Sequence, residues 1–354
     1  MRKLPYLDSP DWPSVLAGIA QRAQAYDIST DWPQHDLAGL EAAGAMRWSI
    51  PAQWGGQPLS ALQLHLRYEQ LAAASVATAL IFTQRDAAAG LIAGSDNASK
   101  RESLLRRLAD NASWMTVGIA QLTTSRQGAK PALLAERVAG GFLLNGVIPW
   151  CTGGHQSTFI VAGATLAGGQ QILFVLQQHQ QGVQWDRPMQ LVALTCTLTS
   201  GVRLKNVLID DKWLLRGPAD GVLGGRHTSL VLGQCFTATG LCRSATDLIQ
   251  RHTSDAAQEA FARFDKQLGE LRDEVMALSA PGREPEAQAA NARLRAACND
   301  LALRTTHAAV SLYKGSALLK SHPAQRLARE AMFLLVWSCP NPVIECTVDM
   351  LTVR

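Results

Sequence analysis

Residues 142–154 read FLLNGVIPWCTGG, and the reading of this stretch decides the fold. It is mostly apolar and closes on Trp150, Cys151 and Thr152 before the pair Gly153-Gly154. It lies between Trp114 and Leu215, where runs such as STFIVAGA, QILFVL and VRLKNVLI alternate with glycine turns, AGG and TSG among them. Runs of this length and alternation predict strands of an antiparallel sheet or barrel. There is no ~30-residue strand–helix–strand rhythm and no GxGxxG, which excludes a dinucleotide-binding site of that type. Taken alone, Trp150 reads as a core aromatic and Thr152 as a turn residue.

Outward from this unit the texture is helical on both sides. Up to about Asp110, SALQLHLRYEQLAAAS offers Ser60 as a helix cap, with Leu64, Tyr68 and Leu71 at helical spacing. IPAQWGGQPLS, Ile50 to Ser60, is a Pro/Gly loop, and KRESLLRRLAD is a short amphipathic helix with a basic face. From about Asp220 three long helices follow: Gly221 to about His252, Ala256 to Leu278, and Ala287 to Lys320. APGREPE breaks the last two, and a shorter helix, AQRLAREAMFLLVW, follows Pro323. Their Ala, Leu, Arg and Glu content predicts a bundle whose helices each bury one stripe.

Bulk numbers narrow the function. The chain has 354 residues, 47% hydrophobic and 18% charged, with net charge +4. That is enough chain for two or three packed units. The basic residues are scattered among acids, which argues against a nucleic-acid surface. No segment has the roughly 18 uncharged apolar residues that a membrane span requires, and MRKLPYLDSPDW lacks the apolar core of a signal peptide. The expected location is the cytoplasm. The seven cysteines are odd in number and show no CxxC spacing, so they predict reduced, buried thiols, with no disulfide framework or metal site.

Order and motifs together resemble the acyl-CoA dehydrogenase superfamily of flavoproteins, over about Asp36 to Pro340. LEAAGAMRWSIPAQWGGQPLSALQLHLRYEQLAAAS carries the family's glycine loop as Trp54-Gly55-Gly56 and its helical motif as Glu69-Gln70-Leu71-Ala72. FLLNGVIPWCTGG answers to the family's central strand, and ILFVLQQHQQGVQW and VRLKNVLIDDKWLL match later strands. The resemblance implies an α+β multidomain fold. It would comprise an N-terminal helical domain (1–113), a central antiparallel β-barrel-like domain (114–218) and a C-terminal four-helix bundle (219–354). A homodimer or homotetramer would pack through that bundle.

The same resemblance implies FAD. Trp150 becomes a flat wall against the isoalloxazine ring, Cys151 its neighbour, and Thr152 a hydroxyl near flavin N5. GIAQLTTSRQGAK, Gly118 to Lys130, replaces the family's flavin loop. Gln121 stands where the family has threonine, and Thr123, Thr124 and Ser125, with Arg126, suit phosphate contacts.

Departures gather in the bundle. SDAAQEAFARFDKQL puts Phe264 and Asp265 on a family motif whose arginine, which reaches a neighbouring subunit's cofactor, is here Ser254; Arg251 lies one turn earlier. Ser311 replaces a glutamine, whereas Pro323, Arg326, Arg329, Glu330 and Ala331 follow the family more closely. Counting seven residues on from Ala331 reaches Ser338, where a dehydrogenase carries its catalytic glutamate. A second family position for that base is Thr228, beside His227.

Removing the α-proton of a thioester needs a base within hydrogen-bond reach, and an unactivated serine cannot serve near neutral pH. Cys339 sits at a helix C-terminus, whose field disfavours a thiolate. Glu345 and His227 remain as weak candidates. The expected function is an FAD-dependent oxidoreductase acting on an acyl thioester or related small organic substrate. The alternatives are a flavin-dependent monooxygenase of the same superfamily, since such branches also lack the glutamate, and a non-catalytic member that keeps the fold for assembly or ligand binding.

Overall fold

The computed structural model describes residues 11–122, 130–223, 227–279 and 287–352. Five helices come first: α1 (Trp12–Asp27), α2 (Gln34–Ala42), α3 (Ala61–Ala74), α4 (Val76–Ala93) and α5 (Ala98–Ala109). The strands are β1 (Met115–Gly118), β2 (Leu133–Val138), β3 (Gly141–Cys151), β4 (Phe159–Leu166), β5 (Gln171–Gln177), β6 (Val183–Trp185), β7 (Ser200–Asp210) and β8 (Leu214–Ala219). Five more helices follow: α6 (His227–Gln250), α7 (Asp255–Leu278), α8 (Ala287–Tyr313), α9 (Pro323–Leu334) and α10 (Asn341–Thr352).

Local chemistry sets the first boundaries. Ser60 and Gln63 form a reciprocal capping box that starts α3. Ser75 is extended between α3 and α4, and its hydroxyl accepts from Thr78 N, so one serine ends one helix and caps the next. The Trp54-Gly55-Gly56 loop needs its glycines: Gly55 has φ +87°, and a Cβ on Gly56 would overlap the Ile50 carbonyl. Asn97 caps α5 through Lys100 N, and its Nδ2 donates to Lys212 O and Leu214 O at 3.1 Å, tying α5 to the start of β8.

The sheet runs β6-β7-β3-β2-β4-β5-β8, with β1 added against β4. Most neighbours are antiparallel, as the alternation predicts. The β1–β4 and β2–β4 pairs are parallel, so the sheet is mixed rather than wholly antiparallel. Both parallel partners belong to chain-distant segments, a pairing that no turn residue announces. One apolar cluster fills the sheet interior around Phe142, Leu144, Ile160 and Phe174. A second lies between the sheet and α4–α5, and a third spans the helices of both ends of the chain. α4 belongs to two of these, with Val76 to Phe82 in the helical core and Ala88 to Ile92 against the sheet.

The C-terminal helices differ from expectation at their ends. α8 stops at Tyr313, seven residues before Lys320, because Lys314 takes φ +52° and the chain tightens into a 3-10 segment, Lys314–Leu318. α10 was not expected; Asn341-Pro342 reads as a helix stop, yet proline at the first turn of a new helix loses no hydrogen bond. Among the described residues, no helix is long and apolar enough to cross a membrane. Five cysteines are buried, and Cys339 and Cys346 are partly so; all seven are free thiols.

The packing of Gly56 yields a direct test. Gly56→Ala should cost about 1–3 kcal/mol, because the obstructing group is backbone and cannot rotate away. The expected result is a lower denaturant midpoint with an unchanged slope; a midpoint at the parent value would refute the close approach.

Candidate active site

The end of β3 alternates. Trp150 is 50% exposed, Cys151 is fully buried in the sheet interior, and Thr152 is half-buried. β3 ends at Cys151 and its register is irregular after Ile148, so strand alternation does not place Thr152. The indole stands exposed, the thiol lies in the sheet interior, and the Thr152 hydroxyl lies against Thr199. Burial pushes the Cys151 thiol up to about 12, so it acts as a small apolar side chain. Two tryptophans clamp the glycines that follow. A Cβ on Gly153, which has φ +62°, would meet the Trp32 ring at 2.5 Å, and a Cβ on Gly154 would strike Trp185. Trp32 comes from the segment between α1 and α2, so this clamp joins the N-terminal helices to the sheet.

A set of threonines that the sequence reading missed fixes Thr152. Thr116 Oγ1 donates to Thr152 O at 2.8 Å, Thr152 Oγ1 lies 3.1 Å from Thr199 Oγ1, and Thr197 Oγ1 lies 2.9 Å from the same atom. The threonines come from three separate segments, and only the TCTLT run hints at them. Gln121 is buried; its amide donates to Gly118 O at 2.8 Å and Gly163 O at 2.7 Å. Its Oε1 has no partner among the described residues. Gln121 thus braces β1 against β4, whereas Thr123, Thr124, Ser125 and Arg126 lie outside the described residues.

The other half is the turn between α9 and α10. Ser338 is exposed there with φ +43°. Cys339 is half-buried; burial raises its thiol and the buried Arg295 guanidinium opposes that shift. The helix-end field named above is therefore not the main effect. Glu345 is exposed on α10, and His227 opens α6 with its side chain outside the described residues, as is that of Thr228. Among the described residues, no hydrogen bond joins Glu345 to Ser338. Ser254 caps α7 through Ala257 N, Arg251 is exposed just after α6, and Ser311 is exposed on α8. Arg326 pairs with Glu330 within α9, and Arg329 reaches Asp27 and the Val192 carbonyl, so α9 is anchored to α1 and to the loop before β7.

Sequence reasoning also passed over His65. It sits on α3 with its ring 5.3 Å from Phe236 and 6.3 Å from Tyr68. Nδ1 is buried with no partner among the described residues, and burial lowers its pKa to about 4. Its only signal was a histidine between Leu64 and Leu66 in a helical run. Among the described residues, no group of three His, Cys, Asp or Glu is arranged to hold a metal.

Comparison with known proteins matches this architecture. Residues 15–112 match the family model for the acyl-CoA dehydrogenase N-terminal domain. Cyclohex-1-ene-1-carbonyl-CoA dehydrogenase of Geobacter metallireducens is 23% identical, covering 92% of this chain and 91% of that protein. Residues 15–112 thus match the N-terminal domain of that family, and the likeness to an acyl-CoA dehydrogenase extends at low identity over most of the chain. Isobutylamine N-hydroxylase of Streptomyces viridifaciens is 27% identical over 51% of this chain and 50% of its own. The structure of a glutaryl-CoA dehydrogenase from Mycobacterium smegmatis in complex with FADH2 superposes with a TM-score of 0.80 at 17% identity, covering 98% of this chain and 95% of that one. Within this superfamily fold the N-terminal helices, central sheet and C-terminal helices occur in the order read from the sequence.

The buried imidazole has a pH consequence. Its pKa is about 4 in the folded chain against 6.5 when exposed, so below pH 6.5 the unfolded chain takes a proton that the native chain refuses. Stability should therefore fall as pH drops from 6.5 through about 4, by up to about 3 kcal/mol from this group. His65→Gln should lose that part of the slope. Denaturant titrations of both proteins across this window check it, and parallel profiles would refute it.

Proposed function

We propose that this protein is an FAD-dependent oxidoreductase acting on an acyl thioester or a related small organic substrate. The observation that carries the reading is the end of β3: a half-exposed indole at Trp150 and, just past the buried Cys151, a threonine hydroxyl held by Thr199. That pair fits a planar, apolar ring with a polar edge. The indole is a flat surface of the right chemistry for stacking. The Thr152 hydroxyl, bonded once to Thr199, keeps further hydrogen-bonding capacity.

Trp150 would lie against the isoalloxazine ring, Thr152 would serve its polar edge, and the Cys151 backbone would set the spacing between them. Thr123, Thr124 and Ser125 would take the phosphates, following Gln121, whose amide bonds to Gly118 O and Gly163 O. When bound, FAD supplies a two-electron acceptor for substrate oxidation. The chain's own contribution is to orient that ring through the Gly153-Gly154 clamp and to exclude water with Trp32 and Trp185. We place the protein in the cytoplasm, as a homodimer or homotetramer.

A second reading is favoured by the Ser338 turn. The usual base position holds an exposed hydroxyl, and no hydrogen-bond partner that would activate it is found among the described residues. The partial likeness to an amine N-hydroxylase suits an oxygenating reaction, which removes no α-proton. Anaerobic addition of a saturated acyl-CoA separates the two: bleaching of the flavin colour supports dehydrogenation. Intact colour there, with conversion of an amine and oxygen to a hydroxylated amine and water once an added reductant supplies reduced flavin, supports oxygenation.

Purified protein should be yellow and release FAD in proportion to chain. Trp150→Ala should weaken FAD retention by about tenfold while leaving thermal stability close to the parent, because a half-exposed ring contributes little to the core. A colourless protein that takes up no FAD on reconstitution would overturn the oxidoreductase reading and favour a non-catalytic member of the fold.

A further inference from the structure

The turn at residues 335–338 lacks a carboxylate, yet two buried side chains from different helices grip it. Arg295 on α8 is 1% exposed. It donates from Nη2 to the carbonyl of Leu334, the last residue of α9, at 2.9 Å, from Nη1 to Gln234 Oε1, and from Nε to Asn299 Oδ1 at 3.0 Å. Gln234 on α6 is 4% exposed and donates in turn from Nε2 to the Trp337 carbonyl at 3.2 Å. The two ends of the turn, Leu334 O and Trp337 O, are therefore held from below by one connected pair.

A buried guanidinium is costly to desolvate, and burial lowers the basicity of Arg295. The described residues pair it with no carboxylate within ion-pair distance. What offsets the cost is its place. The last carbonyls of a helix have no partners within the helix, and they form the negative end of its dipole. Backbone amides of the turn take some of them, since Leu335 N donates to Met332 O and Trp337 N to Phe333 O. Arg295 takes the Leu334 carbonyl with a charge-assisted bond.

The residue that follows is strained. Ser338 has φ +43°, a left-handed conformation that is unfavourable for a non-glycine residue. Such a residue persists where its surroundings over-determine it. Gln234 fixes the carbonyl just before it, and α10 fixes the chain just after, with Val343 N donating to Pro340 O at 2.9 Å.

We propose that Arg295 and Gln234 are positioning residues for this site, holding the left-handed turn that sets where Ser338 and Cys339 stand. Its functional weight rests on reading that turn as the reacting side of the flavin site. The holding itself depends on a cation at residue 295 and not on its bulk. Methionine fills a similar space without binding a carbonyl, while lysine keeps a cation that can reach one.

Amide hydrogen exchange, followed by mass spectrometry on the full chain as purified, tests this. In Arg295→Met, exchange over residues 335–340 should accelerate by about tenfold or more, the weight of one charge-assisted hydrogen bond. Peptides from the sheet and α7 should keep parent rates. Arg295→Lys should restore most of the protection. Parent rates in the methionine variant, or a lysine variant no better than methionine, would overturn the proposal. Should Arg295→Met fail to fold, Gln234→Leu decides, because it keeps the cation and its bond to Leu334 O while freeing Trp337 O and Arg295 Nη1. Acceleration confined to the turn supports the pair, and unchanged rates refute it. The readout needs no flavin: a colourless protein with the expected exchange pattern would sink the oxidoreductase reading and leave the positioning pair standing.

Discussion

The joint on which the molecule depends is the contact between α3 and α6 at Glu69. Gly240 on α6 packs so closely that a Cβ there would strike the Glu69 carbonyl. The Glu69 carboxylate, 8% exposed as a residue, receives Arg272 Nε at 2.9 Å on both oxygens and the Thr239 hydroxyl at 3.0 Å. A carboxylate so placed is stable only with such partners, and removing one would leave the charge uncompensated. This is the glutamate of the EQLA motif, so a residue quoted for its family likeness proves to be the bond between the two helical ends of the chain. Because α3, α6 and α7 meet there, the helices before and after the sheet share one apolar core.

A second polar hub stiffens the N-terminal side. Arg85 is fully buried on α4, donating to Asp86 Oδ1 at 2.7 Å, Met46 O at 2.6 Å and Leu108 O at 2.9 Å. Tyr68 and Ser49 complete the Asp86 carboxylate, each at 2.7 Å. Burial raises the Asp86 pKa and the adjacent Arg85 opposes it, so the charge depends on the whole network. These bonds hold α3, α4 and α5 as a unit. Trp32 then carries that unit onto Gly153, where the candidate ring wall begins. A chain of fixed contacts thus runs from the helical core to Trp150.

What was legible in the sequence is what short-range rules encode. The capping box at Ser60, the strand alternation and the helix–sheet–helix order follow from residue spacing, and the structure has each. The alternation does not extend to Thr152, because β3 ends at Cys151 and its register is irregular after Ile148. The remainder was invisible for a physical reason. The parallel pairing of β1 with β4, the threonines behind Thr152, the unpaired Nδ1 of His65 and the grip of Arg295 on Leu334 O join residues far apart in the chain. None leaves a periodic trace. α10 was missed because Asn-Pro was read only as a stop, though the same pair can open a helix.

The two halves of the site are constrained differently, and that explains which half departs from the family pattern. Gly153 and Gly154 are packed against the Trp32 and Trp185 rings, so a side chain at either glycine must displace an aromatic ring. Ser338 projects from an exposed turn whose backbone is held through the carbonyls of its neighbours rather than through its own side chain. A residue in that situation can exchange carboxylate for hydroxyl without refolding anything around it. Packing therefore fixes the two glycines after β3 and leaves the side chain at residue 338 free to vary. Divergence of reaction within one architecture needs no more than this asymmetry.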